Sequence, residues 1–283
     1  MKESEKQLIK KMFETKCQTM ALSQEQGAMN AGTKGTTVSQ VFNGKYPAND
    51  DAVYKLLAVW VEFKGLEWVT AETVNYKLTH FYLNESKENS EAYLLEGRAG
   101  HGKTYAIKKF STGNENAFML ACEVTWNRKQ FLVELMNRMG RDCGGHTETE
   151  ILALVTKYLL AMDRPIIIMD EADKLNDDVL YFFISLYNRL DDHCGLVMSA
   201  TEHLSIRLER GVKYNRKGYA EIWSRIGSKP IVFEKTRKKD VKAICEANGV
   251  TDEMEIEKIY QECQGDLRRV KRAVNKIKRS EKE

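Results

Sequence analysis

The chain has 283 residues, with 44 Lys and Arg against 41 Asp and Glu, 42% hydrophobic residues and three prolines. That length allows about two folded units, and the composition excludes collagen-like, mucin-like and disordered chains. No run approaches the roughly 18 consecutive apolar residues of a membrane span, and Met1-Lys2-Glu3-Ser4-Glu5-Lys6 lacks the apolar core of a signal peptide, so a cytoplasmic protein with no membrane partner is expected.

The first segment, to about Gly65, reads as helices without strands. Ser23-Gln24-Glu25-Gln26 has the form of a capping box and opens one helix, which runs into the turn Ala31-Gly32-Thr33. A second helix is predicted from Thr36 to Asn43, closed by Asn43-Gly44, and a third from Asp51 to Phe63. Two short helices about a glycine turn, with a supporting helix, describe a helix-turn-helix. Leu22–Gln26, Gly32 and Thr37–Lys45 resemble the phage-repressor type. That resemblance implies that the second helix offers Lys34, Thr36, Thr37, Gln40 and Lys45 to the DNA major groove. The alternative is a protein-docking module with a solvated polar face.

Residues 66–90 turn polar and read as a linker, or as a helix that reaches the next domain. From about Glu91, short apolar runs alternate with helical patterns: Ala92–Leu95, Ala117–Cys122, Pro165–Asp170, Gly195–Ala200 and Ile231–Phe233 are the predicted strands. Continuous apolar runs flanked by amphipathic helices indicate a parallel sheet covered on both faces, an α/β doubly wound fold. An extra helix, capped by Thr147–Glu150, is predicted between the second and third strands. After Glu234 the pattern is helical, broken at Asn248-Gly249 and Gln264-Gly265. The expected division is therefore a helix-turn-helix domain over 1–65, a linker over 66–90, a nucleotide-binding core over 91–234 and a helical lid over 235–283. The six cysteines are scattered, with no C-x-x-C pair, and are expected to be buried free thiols.

Gly97-Arg98-Ala99-Gly100-His101-Gly102-Lys103-Thr104 fits G-x-x-x-x-G-K-[ST] and lies between a predicted strand and a predicted helix. Its glycines let backbone N–H groups face phosphates at a helix N-terminus. Lys103 is expected to neutralise the β- and γ-phosphates of ATP, and the Thr104 hydroxyl to ligate Mg²⁺. Ile166-Ile167-Ile168-Met169-Asp170-Glu171 is an apolar strand that delivers two carboxylates at its C-terminal edge, where open α/β sheets bind ligands. Asp170 is expected to hold Mg²⁺, and Glu171 to act as the general base on the attacking water. Asp170-Glu171-Ala172-Asp173 and Ser199-Ala200-Thr201 also spell two signatures of DEAD-box helicases. Those enzymes need a second RecA-like domain, for which the 82 residues after Thr201 leave no room.

From about Glu91 onward the motif order resembles the AAA+ ATPases. The resemblance implies that Ser199, or Thr201 as second choice, senses the γ-phosphate. It implies that Arg225, in Ile222-Trp223-Ser224-Arg225-Ile226-Gly227, is a finger reaching the ATP of a neighbouring subunit, with Arg207 and Arg210 as weaker matches. Arg268, in Gly265-Asp266-Leu267-Arg268, would contact the nucleotide of its own subunit. A repressor-like helix-turn-helix, one AAA+ module and a short basic lid together resemble the transposition proteins of the phage Mu B type. That resemblance implies an ATPase that assembles as a homo-oligomer or filament on double-stranded DNA, largely without sequence preference, and delivers target DNA to a transposase. Arg128 and Lys129, after the second strand, are the preferred phosphate contacts, with Lys174 and the run Arg269–Arg279 as further ones. A DNA-loading or initiator-type ATPase and an ATP-switched helix-turn-helix regulator are the alternatives.

Overall fold

The computed structural model describes residues 1, 3–61, 63 and 68–280; the expected boundary at 65/66 lies outside them. Contacts group the chain into two units, Met1–Thr70 with the stretch from Val274, and Ala71–Ala273.

Four helices build the first unit: α1 (Glu3–Thr19), α2 (Gln24–Asn30), α3 (Gly35–Phe42) and α4 (Asp51–Trp60). Ile9, Phe13 and Cys17, four residues apart along α1, form one buried stripe against Ala28, Val38, Val41 and Leu57. Truncating Phe13, which is fully buried and meets Phe42 edge-on at 5.7 Å, would cost about 3–5 kcal/mol. The Ser23 capping box forms in both directions, at 3.2 and 2.9 Å. Because Val38 and Val41 turn inward, Thr36 and Gln40 on α3 face outward, as do Lys34 and Lys45 at its ends, while Thr37 is half-buried. The helix expected to reach Phe63 stops at Trp60, capped by Val61.

The second unit is a five-stranded parallel sheet of β1 (Ala92–Glu96), β2 (Ala117–Ala121), β3 (Ile166–Asp170), β4 (Gly195–Ala200) and β5 (Ile231–Val232), ordered β2-β3-β4-β1-β5. Strand alternation splits its core in two. Leu95, Ile166, Ile168 and Val197 face α5 (Val74–Asn89) and α6 (Lys103–Thr112). Leu94, Ile167, Met169, Leu196 and Met198 join a larger cluster with α7 (Arg128–Arg138), α8 (Glu148–Leu160), α9 (Asp177–Leu190), α10 (Glu202–Lys213) and α11 (Tyr219–Arg225). Every residue of β3 and β4 is buried, which explains why those runs are apolar without alternation. Between β3 and α9 lies one 3₁₀ turn, Ala172–Lys174.

Residues 74–89, within the stretch expected as a linker or reaching helix, form α5, and its Leu83 lies in the core beneath the sheet. The Asn75 side chain accepts from Glu234 N at 3.0 Å and donates to Glu234 O at 2.8 Å, just beyond β5. The helices after the sheet are α12 (Lys238–Ala247), α13 (Glu253–Cys263) and α14 (Leu267–Ser280). Buried Asp240, in the first turn of α12, accepts from Val74 N at 3.1 Å and from Arg237 N at 3.0 Å. The start of α5, the exit of β5 and the entry to α12 are thus one polar joint.

All six cysteines are free and buried. Burial pushes the Cys194 thiol up to about 12 and that of Cys245 up to about 11, so these two behave as small apolar side chains. Among the described residues no helix is long and apolar enough to cross a membrane.

Candidate functional site

The chain leaves β1 at Glu96 and enters α6 at Lys103, so residues 97–102 curl at the C-terminal edge of the sheet. Gly100 and Gly102 have φ of 83° and 91°, a region closed to most L-residues, and a Cβ on Gly100 would collide with the Asp266 carboxylate. Among the described residues no side chain caps α6, which leaves its first N–H groups for a ligand with negative charge. The Lys103 ammonium donates to Gly97 O and, at 3.2 Å, to Arg98 O. Burial lowers its pKa, opposed by the neighbouring carboxylates of Asp170 and Asp173. Among the described residues this cation is held by two backbone carbonyls in a curl of glycines, which fits a phosphate chain.

Across the sheet, Asp170 ends β3 opposite Ser199 of β4. The carboxylate is 1% exposed and the hydroxyl fully buried, and Ser199 Oγ donates to Asp170 Oδ1 at 2.8 Å. One face of the carboxylate is therefore fixed by the neighbouring strand. Thr201 behaves similarly one step later, donating to Asp173 at 2.9 Å. Glu171 sits at φ 57° and turns the chain into the 3₁₀ segment, and its half-exposed carboxylate pairs with Lys174 at 2.6 Å. Thr104 is exposed in the first turn of α6. A hydroxyl and a buried carboxylate near a phosphate curl are the hard oxygen donors that Mg²⁺ prefers, with its remaining positions left to water and phosphate.

The loop before α14 docks on the glycine curl. Leu267 N donates to Gly100 O at 2.9 Å, and Asp266 Oδ1 accepts from Arg268 N at 2.8 Å. This places exposed Arg268 close enough to depress the Lys103 pKa. His101 is 9% exposed beneath the same loop; its Nδ1 has no hydrogen-bond partner among the described residues, and burial lowers its pKa. Arg225 lies elsewhere. Its guanidinium stacks over the Tyr187 ring at 4.6 Å, donates to Asn188 at 3.1 Å and faces Glu221 at 3.9 Å, all partners on α9 and α11. Arg207 is used internally, bonded to Leu175 O at 2.7 Å, to Asp177 and to Tyr219.

A family model described as an AAA domain matches residues 87–208, and one described as the C-terminal part of the Mu B transposition protein matches residues 224–276. The chain is 25% identical over 248 residues to the Mu-like prophage FluMu DNA transposition protein B of Haemophilus influenzae, covering 85% of both. It is 26% identical over 247 residues to the ATP-dependent target DNA activator B of Escherichia phage Mu, covering 84% of this chain and 76% of that one. This chain is homologous to the Mu B transposition proteins. Among solved structures it is similar to Cdc6p of Pyrobaculum aerophilum, at a TM-score of 0.48 and 17% identity, covering 75% of this chain and 61% of that one.

In this Mu B homologue the match over residues 224–276 takes in both Arg225 and Arg268. The basic residues expected to meet DNA are distributed over separate elements. Arg128 and Lys129 are exposed at the start of α7, where Asn127 and Gln130 form a capping box, and Arg128 faces Glu148 at 3.3 Å. Lys174 is engaged by Glu171. Asn176 Nδ2 donates to Trp126 O at 3.0 Å, tying the turn after Lys174 to the loop before Arg128. In the stretch Arg268–Arg279, Val270 and Val274 are buried, and Arg269 is used on Gln264 Oε1 at 3.0 Å.

Several residues of the site gave no signal in the sequence. Asp266 covers Gly100, Asn75 and Asp240 brace the passage from β5 to α12, and the Ser205 hydroxyl donates to Glu96 just before the glycine curl. Each contact joins positions far apart in the chain, and no local spacing marks them.

Proposed function

We infer that this protein is an ATP-dependent target-DNA activator of transposition, which assembles on double-stranded DNA when ATP is bound and presents that DNA to a transposase. One observation carries the nucleotide part: the uncapped α6 and Lys103 stand at the same sheet edge as the buried Asp170–Ser199 pair, with the Asp266–Arg268 segment docked on Gly100. The transposition part is supported by the Mu B relatives.

In this reading residues 97–104 hold the triphosphate, with Lys103 on the β- and γ-phosphates and Arg268 closing from the lid. Thr104 and Asp170 would hold Mg²⁺, which when bound spreads the charge of the phosphates. Glu171 takes the proton of a water whose oxygen bonds to the γ-phosphorus as the bond to the bridging oxygen breaks and ADP leaves. Arg225, parked on Tyr187 in a single chain, turns to the nucleotide of a neighbouring copy and stabilises the charge spread over the transferring group. Ser199 positions Asp170, and through it reports on the phosphate end. The functional division is 1–65, 66–90, 91–234 and 235–283. Duplex phosphates meet Arg128, Lys129 and Lys174, and the outward face of α3 (Thr36 and Gln40), with half-buried Thr37 and with Lys34 and Lys45 at its ends, makes further contacts.

The test is a strand-transfer reaction with the transposase encoded nearest to this protein, with and without ATP, beside filter binding of duplex DNA. ATP-dependent stimulation of transfer and ATP-dependent retention of duplex are expected, and Lys103→Ala should abolish both. Stimulation that ignores ATP, or survives in Lys103→Ala, defeats the reading. For α3, Lys34→Ala with Lys45→Ala should lower the slope of log affinity against log salt by about two; an unchanged slope points to a protein-docking module.

A further inference from the structure

We propose that the turn between α10 and α11 is a further contact for duplex DNA, with the Lys213 and Lys217 ammoniums on phosphates and the Tyr214 ring against the sugar edge between them. The inference rests on the functional reading above and adds to it a surface separate from α3, α7 and Lys174.

Arg210-Gly211-Val212-Lys213-Tyr214-Asn215-Arg216-Lys217 holds four cations and no acid, and the six residues from Val212 to Lys217 are exposed in succession. The turn that carries them is tightly held. Arg216 N donates to Gly211 O at 2.8 Å and Asn215 N to Val212 O at 3.0 Å, with Asn215 in the left-handed region at φ 49°. A Cβ on Gly211 would meet the Tyr219 ring of α11 at 2.0 Å, and one on Gly218 would meet the Tyr181 ring of α9 at 2.0 Å. These two glycines let the turn close on both helices. Its side chains therefore project from a fixed backbone, and a partner that binds them has little to order.

Tyr214 is 72% exposed, so its ring contributes little to the core. The Lys213 ammonium lies 6.0 Å from that ring, and the Lys217 ammonium 5.6 Å from the ring of half-exposed Tyr181. Among the described residues neither lysine pairs with a carboxylate. Asp177 is already engaged by Arg207, by Tyr219 at 2.7 Å and by Arg216 at 3.7 Å. Asp178 remains beside the turn, on the cleft that Tyr181 and Lys217 also line. Two unpaired cations flanking an exposed ring match a polyanion whose charges are separated by flat, partly apolar groups.

Connectivity favours a duplex over an acidic peptide. Asp177, which meets Arg216, follows Asn176, whose side chain donates to Trp126 O in the loop before Arg128 and Lys129. The basic turn and that loop are thus both tied to the start of α9. A long polyanion can meet both at once, whereas a short acidic segment gains nothing from the second.

The experiment measures duplex affinity of the full chain with ATP across a salt series, beside ATP binding without DNA. The proteins compared are the wild type, Lys213→Ala with Lys217→Ala, Tyr214→Ala and Tyr214→Phe. The double variant should lower the slope of log affinity against log salt by about two. Tyr214→Ala should weaken duplex binding about fivefold at an unchanged slope, and Tyr214→Phe, which keeps the ring, should stay near wild type. ATP binding without DNA should be the same in all four, because none of these side chains belongs to the glycine curl. An unchanged slope in the double variant, or an unchanged affinity in Tyr214→Ala, overturns the proposal. Wild-type duplex binding with lost stimulation of strand transfer also overturns it, and makes the turn a docking surface for protein. A wild type that does not bind duplex with ATP would instead remove the functional reading itself.

Discussion

Asp170, the last residue of β3, pairs in register with Ser199 of β4, and the serine hydroxyl donates a hydrogen bond to the aspartate at 2.8 Å in a fully buried position. Removing the donor leaves a buried carboxylate oxygen with one partner fewer. Ser199→Ala should therefore lose about 1–3 kcal/mol of stability in chemical denaturation and should also lower Mg²⁺-dependent hydrolysis, because Asp170 is no longer held in one orientation. A variant with wild-type hydrolysis would show that the hydroxyl serves packing alone.

Arg225 is held by Tyr187, Asn188 and Glu221 of its own chain. If it acts on a neighbour's nucleotide, Arg225→Ala should bind ATP normally yet hydrolyse about a thousandfold more slowly. Mixing it with Glu171→Gln separates the roles: one variant supplies the arginine and the other the base, and partial activity should return. Two inactive variants that stay inactive when mixed would place Arg225 outside the reaction.

Burial holds His101 neutral, with Lys103 and Arg98 adding to the effect, so its folded pKa lies below the ordinary 6.5. As pH falls below about 6.5 the unfolded chain takes up the proton first. Stability is therefore retained above that pH and lost progressively as pH falls towards the lower folded pKa. His80, also held down by burial, contributes in the same direction. Thermal melts between pH 7 and 5 should show a smaller loss in His101→Gln than in wild type. An identical acid slope would mean that His101 takes up its proton in the folded state as readily as in the unfolded chain.

Asn75 spans both backbone groups of Glu234 across 159 residues of sequence. Asn75→Ala should cost about 2 kcal/mol, seen as a fall in melting temperature of about 4–8 °C for a unit of this size. The entry to α12 at Asp240 shares this joint; if the helices after it close on the nucleotide as proposed, nucleotide affinity should fall with it. A melting temperature within a degree of wild type would show that the joint bears no load.

The N-terminal helices, the parallel strands and the glycine curl were legible because each depends on neighbours in sequence. A capping box needs three residues, a buried strand needs four or five apolar ones, and a glycine curl needs only that Gly100 and Gly102 tolerate positive φ. Helix α1 was legible only as helical, and α10 and α11 were not located, since their stripes merge with the polar residues around them.

The amino-acid order alone thus determined which residues are chemically able to hold a triphosphate and which stretches form its scaffold, because backbone preference and side-chain periodicity are local. Only the tertiary structure decided that Ser199 serves Asp170, that Asp266 closes on Gly100, that Arg225 rests on Tyr187 and that Lys174 holds Glu171. Even the last of these, three residues apart, depended on a left-handed turn at Glu171 that no residue preference foretells. Strand register, lid docking and side-chain direction set these partners, and they arise from packing over the whole fold.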